Sequence, residues 1–425
     1  MRVLFATYSD KTHFIPMVPL AWALRAAGHD VVVATQPKLV DVVTGTGLTA
    51  VEVGRDNQLW RFLEKRPDRF EETKGKPAAP YAAAELPADE VSWDYLVSGY
   101  REAVPWWHRM INDPMIEPLV EFARHWRPDL VVWETNTFAG AIAASVVGAA
   151  HGRLMWSLDY FGRTRTLFRD LRDRRPPDDR EDPLAQWLGG RMAKWGKGFS
   201  EDLVVGHFTV DHLPDSLRMA TDLHHVPMRY VPYNGTSVVP RWLWEPPARP
   251  RVALTLGVSA VHQFGGYPVD VQDLLDSLAD LDVEVVATLP ESEQAKLRRV
   301  PDNVRLLSFV PLHALVPTCS AVVHHTGPGT MCTTARYGVP HLALPKQYDE
   351  PFLADGLVRA GAGLSVPADA ATGAAVRERL VRLLDDPAFR AGADRLRAEM
   401  IAMPTPAELV DPLCELTAKY RGRAA

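Results

Sequence analysis

Short runs of consecutive apolar residues, each followed by a polar loop and a helical stretch, recur in two separate series along this chain. That repetition limits the fold more than any other feature. Arg2 to Thr7 (RVLFAT) is apolar almost throughout, as strands are when both faces of a parallel sheet are covered. A polar loop, Tyr8 to Thr12, leads into a stretch ending at Gly28, and Asp30 to Thr35 (DVVVAT) supplies the second strand of a βαβ unit. The pattern then predicts a helix near Ile116 to Trp126, a strand at Asp129 to Trp133, a helix from Phe138 and a strand at Arg153 to Trp156. A second series predicts strands at Val252–Leu256, Glu284–Leu289, Val304–Phe309, Ala321–His324 and His341–Leu344, with helices at Val269–Leu281, Gly329–Tyr337, Pro351–Ala360, Ala375–Leu384 and Ala388–Met403. Between the series, Tyr230 to Pro250 carries five prolines and no apolar period, as linkers do. The expected architecture is α/β, with two doubly wound, Rossmann-like domains facing across a cleft. Residues 1–228 form the first domain, 229–250 the linker and 251–403 the second, and a helix within 404–425 packs back on the first. Residues 55–107, charged and weakly periodic, read as a long insertion with irregular helices.

Several function classes drop out on composition. Lys and Arg number 47 against 53 Asp and Glu, a formal net charge of −6, so the electrostatic footprint of a nucleic-acid binder is missing. The three cysteines, Cys319, Cys332 and Cys414, form no CxxC pair, which argues against a disulfide framework or a zinc site. The amino terminus lacks signal-peptide features, and Phe138 to Ala150, the longest small and apolar stretch, is too short to span a bilayer. A cytoplasmic protein without a membrane partner is expected. No glycine lies between Met1 and Gly28, so the GxGxxG of a dinucleotide site is absent and no cofactor is expected. The only DxD, Asp280-Leu281-Asp282, reads as a solvated turn, and no metal is expected.

Three places carry candidate chemistry. His13 lies just past the carboxyl end of the first strand, where ligands collect in open α/β sheets, and imidazole is the side chain best suited to act as a base near neutral pH. An ordinary helix-start histidine would look the same. Glu134 directly follows the Asp129–Trp133 strand, so it belongs to the same sheet edge and could hold the imidazole's second nitrogen; a carboxylate beside a helix start is the plainer reading. Ala321 to Thr330 (AVVHHTGPGT) runs from a buried strand through a glycine-rich turn into a helix. Such a turn aims free amides and the positive helix end at an anion, although it also serves plain packing. It does not fit GxxxxGK[ST], which excludes a P-loop ATPase. Downstream, Asp349 and Glu350 open a helix after a strand end. They suit sugar hydroxyls or an amine, and equally the acid preference of a first helical turn.

With these residues in view, the chain resembles family 1 glycosyltransferases of the GT-B fold. Within them it resembles the actinobacterial enzymes that attach deoxysugars and aminodeoxysugars to macrolides and anthracyclines, desosamine and mycaminose transferases especially. Besides the glycine turn, the resemblance rests on RVLFATYSDKTHFIPMVPLAWALRAAGHDV, RPDLVVWETNTFAGAIAA and VPMRYVPYNGTSVVPRWL. It implies an acceptor domain in front, a donor domain behind and single displacement with inversion, from a dTDP-sugar to a hydroxyl of a polyketide-type natural product. In that scheme His13 is the general base and Glu134 its supporting acid. His325, Gly327, Gly329 and Thr330 hold the diphosphate, and Asp349 and Glu350 meet the donor sugar. Thr255, Gly257 and Ser259 line the donor cleft, with Phe309, Val310 and Pro311 at the nucleobase wall. The resemblance also implies a cytochrome-like auxiliary protein docking on residues 55–107, and it admits a homodimer.

Two departures stand out: Glu350 replaces a common glutamine, adding negative charge suited to an aminosugar, and Thr326 replaces the first glycine of HGGPG, which a negative φ would tolerate. The competing readings are a nucleotide-sugar epimerase or hydrolase of the same fold and a catalytically silent binding homologue. Trp93, Trp106, Trp107, Trp156 and Phe161 speak for an apolar acceptor pocket, while each alone is an ordinary core residue.

Overall fold

The computed structural model describes residues 1–66, 70, 75, 77–257, 261 and 265–422. Within them the two apolar series build two wholly parallel sheets. The first has strand order β3-β2-β1-β4-β5-β6-β7, from Arg2–Ala6 (β1), Asp30–Thr35 (β2), Thr49–Glu52 (β3), Leu130–Glu134 (β4), Ala150–Leu154 (β5), Thr209–Asp211 (β6) and His225–Pro227 (β7). The second has order β10-β9-β8-β11-β12-β13, from Arg251–Thr255 (β8), Glu284–Thr288 (β9), Val304–Leu307 (β10), Ala321–His324 (β11), His341–Ala343 (β12) and Gly363–Ser365 (β13). Each sheet reverses its winding beside its first strand, between β1 and β4 and again between β8 and β11. Such a switch point opens a crevice at the carboxyl ends of the strands. The strands flanking both crevices are almost wholly buried, which is why they read as continuous apolar runs.

The helices that shape the site begin with α1 (Lys11–Phe14) and α2 (Val18–Ala26), after β1. They continue with α3 (Arg109–Trp126), α4 (Phe138–Val147), α5 (Pro328–Arg336), α6 (Glu350–Arg359) and, at the carboxyl terminus, α7 (Pro387–Ala402) and α8 (Val410–Tyr420). No helix among the described residues is long and apolar enough to cross a membrane.

Several elements differ from expectation. The strand expected at Arg153–Trp156 lies at Ala150–Leu154, so Trp156 stands past the sheet edge. Strands β3, β6, β7 and β13 were not expected; each spans only three or four residues. The helix expected at Val269–Leu281 is confined to Val271–Ser277. The 55–107 stretch is more regular than an insertion: Ser92 caps a helix over Trp93–Ala103, whose Trp93, Leu96, Val97 and Tyr100 join the main core.

Helix α8 contributes Leu413 and Val410, and Leu409 precedes it, to the cluster that holds Val3, Phe5, Val31 and Leu130 of the first sheet. Arg421 pairs with Asp129 at 2.5 Å. Where the chain crosses from the second half, the Arg229 amide donates to Pro404 O at 2.6 Å and its Nε to Met403 O at 3.0 Å. Leu413 is fully buried, and its replacement by alanine is expected to lower stability by about 2–4 kcal/mol, the range for a core leucine truncation. Chemical denaturation of Leu413→Ala would measure that loss; no change would mean that α8 does not anchor the first sheet.

Candidate active site

The first crevice is built around a buried acid. Glu134, the last residue of β4, has no solvent exposure. Its carboxylate accepts from Thr135 Oγ1 (3.1 Å), Asn136 N (3.0 Å) and Thr137 Oγ1 (3.0 Å), all supplied by the three residues that follow. The remaining partner is His13, whose Nδ1 lies 2.8 Å from Glu134 Oε1. Because the carboxylate only accepts, Nδ1 carries the proton and the Nε2 lone pair is left for the cleft. Asp10 caps α1 by accepting from the Thr12 amide at 2.9 Å, which holds the turn that presents His13. Trp156 lies against the imidazole with ring centroids 4.2 Å apart, and Tyr8 meets it edge-on at 5.1 Å. Burial lowers the proton affinity of His13, but the charge and hydrogen bond of Glu134, aided by Asp10 and Asp349, reverse this and raise its pKa above the ordinary histidine value.

The second crevice is built from backbone. His324 is structural: its Nδ1 accepts from the Thr326 amide at 3.0 Å, so Nε2–H donates to His341 Nδ1 at 2.8 Å. His325 faces the cleft instead, with its ring pressed between two glycines. A Cβ at Gly257 would come 2.7 Å from the ring, and one at Gly327 would come 2.2 Å from Nε2, so larger residues would displace the imidazole. Burial pushes the His325 pKa down to about 4, so it meets a ligand as a neutral hydrogen-bonding group. Helix α5 starts with proline at its first turn, and its first backbone bond runs from Met331 N to Gly327 O at 3.0 Å. The amides of Gly329 and Thr330 precede that bond and, among the described residues, have no backbone acceptor, which leaves them at the positive helix end where an anion is favoured.

Thr326 does not take the negative φ that would tolerate a side chain. Its φ is 67°, a region that costs a residue with a Cβ about 1–2 kcal/mol. The hydroxyl offsets part of this by donating to His325 O at 2.5 Å, with Glu350 O a second acceptor at 3.2 Å.

Asp349 is buried, accepts a hydrogen bond from Ser157 of the first half and has its pKa pushed up by burial to about 6. Glu350 is turned back on its own loop, where Oε2 accepts from the amides of Lys346 and Gln347, both at 2.8 Å. Burial pushes its pKa up to about 8, which favours the uncharged form near neutral pH.

One cavity of about 480 Å³ joins the two crevices. Its front wall includes His13, Trp106, Trp107, Trp156, Leu59 and Leu63, and its back wall Gly257, His325, Gly327, Gly329, Thr330, Asp349 and Glu350. Other expected residues do not line it. Thr255 and Val310 are buried in the second half, Pro311 is buried as well, and Phe309 is exposed; the neighbouring Leu312 reaches the cavity instead. Ser259 lies outside the described residues. Trp93 and Phe161 belong to the core. Tyr348, Tyr230 and His212 line the cavity as well, and sequence reasoning missed all three; the strand that ends just before His212 spans only three residues, too few to signal it.

Thr326 offers a test of the turn. Thr326→Val keeps the strained φ and loses the hydroxyl, so a stability loss of about 1–2 kcal/mol is expected. In Thr326→Gly, relief of about 1–2 kcal/mol of strain largely cancels that loss. Thermal unfolding of both variants decides it, and equal loss in the two would refute the offset.

Comparison with known proteins bears on this architecture directly. Family models described as "Erythromycin biosynthesis protein CIII-like" match residues 22–257 with the N-terminal domain and residues 272–416 with the C-terminal domain. The chain is 48% identical to the 10-deoxymethynolide desosaminyltransferase of Streptomyces venezuelae over 99% of its own length and 98% of that protein. It is 43% identical to the TDP-daunosamine transferase DnrS of Streptomyces peucetius, covering 100% of this chain and 99% of that one. Among solved structures, the glycosyltransferase VinC in complex with dTDP superposes with a TM-score of 0.89 at 38% identity, over 99% of this chain and 100% of VinC. With two Rossmann-like domains of the GT-B type and relatives of this kind along its whole length, the chain belongs to the erythromycin biosynthesis protein CIII-like glycosyltransferases of antibiotic biosynthesis.

Proposed function

We propose that this glycosyltransferase moves a deoxysugar from dTDP to a hydroxyl of a polyketide-type acceptor, by a single inverting displacement and without a metal ion. The observation that carries the reading is that His13 and the free amides at the start of α5 line one cavity. Residues 1–228 bind the acceptor against Trp106, Trp107 and Trp156, and residues 251–403 bind the donor. His13 Nε2 removes the hydroxyl proton as the acceptor oxygen attacks the anomeric carbon. The bond from that carbon to phosphate breaks, and the diphosphate leaves with the electron pair. Glu134 stabilises the imidazolium that forms. The amides of Gly329 and Thr330, with His325, meet the charge growing on the leaving group, which is why the reading calls for no cation. Asp349 is assigned to the sugar, and Gly257 and Leu312 to the nucleobase end.

His13→Ala is expected to cut transfer by about 10²–10⁴-fold, the usual contribution of a general base, with dTDP affinity nearly unchanged. Retained turnover would remove the base assignment. The base works in its neutral form, so kcat/KM should rise with pH through the His13 pKa. Glu134 holds that pKa up; Glu134→Gln should therefore move the acid limb to lower pH while lowering the plateau rate. A limb that stays in place would separate Glu134 from the base. His325→Ala should weaken dTDP binding by about tenfold, the size of one hydrogen bond to a charged group, and equal calorimetric affinity would count against its phosphate role.

A further inference from the structure

Strand β6 ends at Asp211, and the next residue, His212, emerges at the carboxyl edge of the first sheet two strands from Glu134. Its side chain is 2% exposed and lines the cavity between the halves. Among the described residues, neither ring nitrogen meets a hydrogen-bond partner; the Met155 backbone faces the ring without adequate hydrogen-bond geometry. Its acidic neighbour does not fill that role, because Asp211 accepts from the Leu213 amide at 2.9 Å.

A buried imidazole that has lost water and gained no protein partner is costly, and in a ligand cavity it marks a contact completed by the ligand. The surroundings indicate which part of the ligand. The His212 ring lies 5.4 Å from that of Tyr230, and the Tyr230 hydroxyl donates to Gly329 O at 3.1 Å. Gly329 also carries one of the two free amides at the start of α5. His212 thus approaches the anion cradle from the opposite half of the molecule. Burial pushes its pKa down to about 4, and the neutral ring that results keeps one N–H to donate.

We propose that His212 is a diphosphate ligand supplied by the acceptor-side half, donating a hydrogen bond to a phosphate oxygen of the dTDP-sugar. This rests on the donor site assigned above and adds a residue to it. The cradle is then closed only when both halves are in place, with amides from one and an imidazole from the other. His212 leaves the proton transfer to His13 and holds the leaving group.

The test uses thymidine, TMP and dTDP as probes, titrated by calorimetry into the full-length protein, into His212→Leu and into His212→Asn, which keeps a side-chain donor. In His212→Leu, dTDP affinity should fall about tenfold, the size of one hydrogen bond to a charged group, while thymidine affinity stays unchanged. His212→Asn should recover part of the loss. Equal weakening for all three probes would overturn the proposal and leave His212 a packing residue. Unchanged dTDP affinity in the leucine variant would overturn it too, while leaving the donor site assigned to α5 intact. Failure of the unaltered protein to bind dTDP would overturn both.

Discussion

A carboxylate without access to water must be matched by hydrogen bonds, and the residues at this end of the first sheet meet that demand for Glu134. The run Trp133-Glu134-Thr135-Asn136-Thr137 solves most of it locally, because the three polar residues after the acid each turn a donor back onto it. His13 completes the shell from across the switch point between β1 and β4. That single contact sets the tautomer of the imidazole, aims its free nitrogen and links the two strand ends that flank the crevice. The geometry that satisfies the acid is also the geometry that orients the imidazole.

The strands beside the switch points were legible because burial on both faces favours apolar residues along most of their length, as in β1, β4, β8 and β11. Those strands place His13, Glu134, Gly257 and His325, and so the outline of the site could be read from the chain. Edge strands obey a looser rule. TVD in β6 and HVP in β7 span three residues each, too few for a period to show. In β5 the run AHGRL holds a buried histidine and arginine, which moved the expected strand toward Trp156. These displacements hid Ser157 and His212, both of which stand just past a strand end, and kept Trp156 from being placed beside His13. The sequence could not reveal φ at Thr326 either, since the sign of that angle depends on hydroxyl contacts made only in the folded turn.

The two crevices treat histidine in opposite ways. Burial alone depresses an imidazole's pKa, as it does for His325, whereas burial beside an ionised partner raises it, as Glu134 does for His13. Groups pushed apart in this way can take separate roles at one pH. The more basic ring suits proton removal. The less basic one is held neutral by burial and keeps one N–H to donate.

This division works only if the halves keep their mutual setting, and two of the bonds that hold it fall within the site itself. Ser157 of the front half donates to Asp349 of the back half, and Tyr230 donates to Gly329. Trp156, which covers His13, also stacks near Tyr348 at 6.2 Å between ring centroids. His13 and Asp349 are therefore held through adjacent residues, Trp156 and Ser157 on one side and Tyr348 on the other. A shift of one half against the other would move the imidazole and the anion cradle together with these bonds. The return of α8 to the first sheet, and the Arg229 bonds to Met403 and Pro404, tie the carboxyl end of the second half to the first half at the side of the molecule. That anchorage lets a few polar contacts in the cleft set the distance between His13 and the start of α5, because the apolar packing of α8 has already limited how far the halves can part.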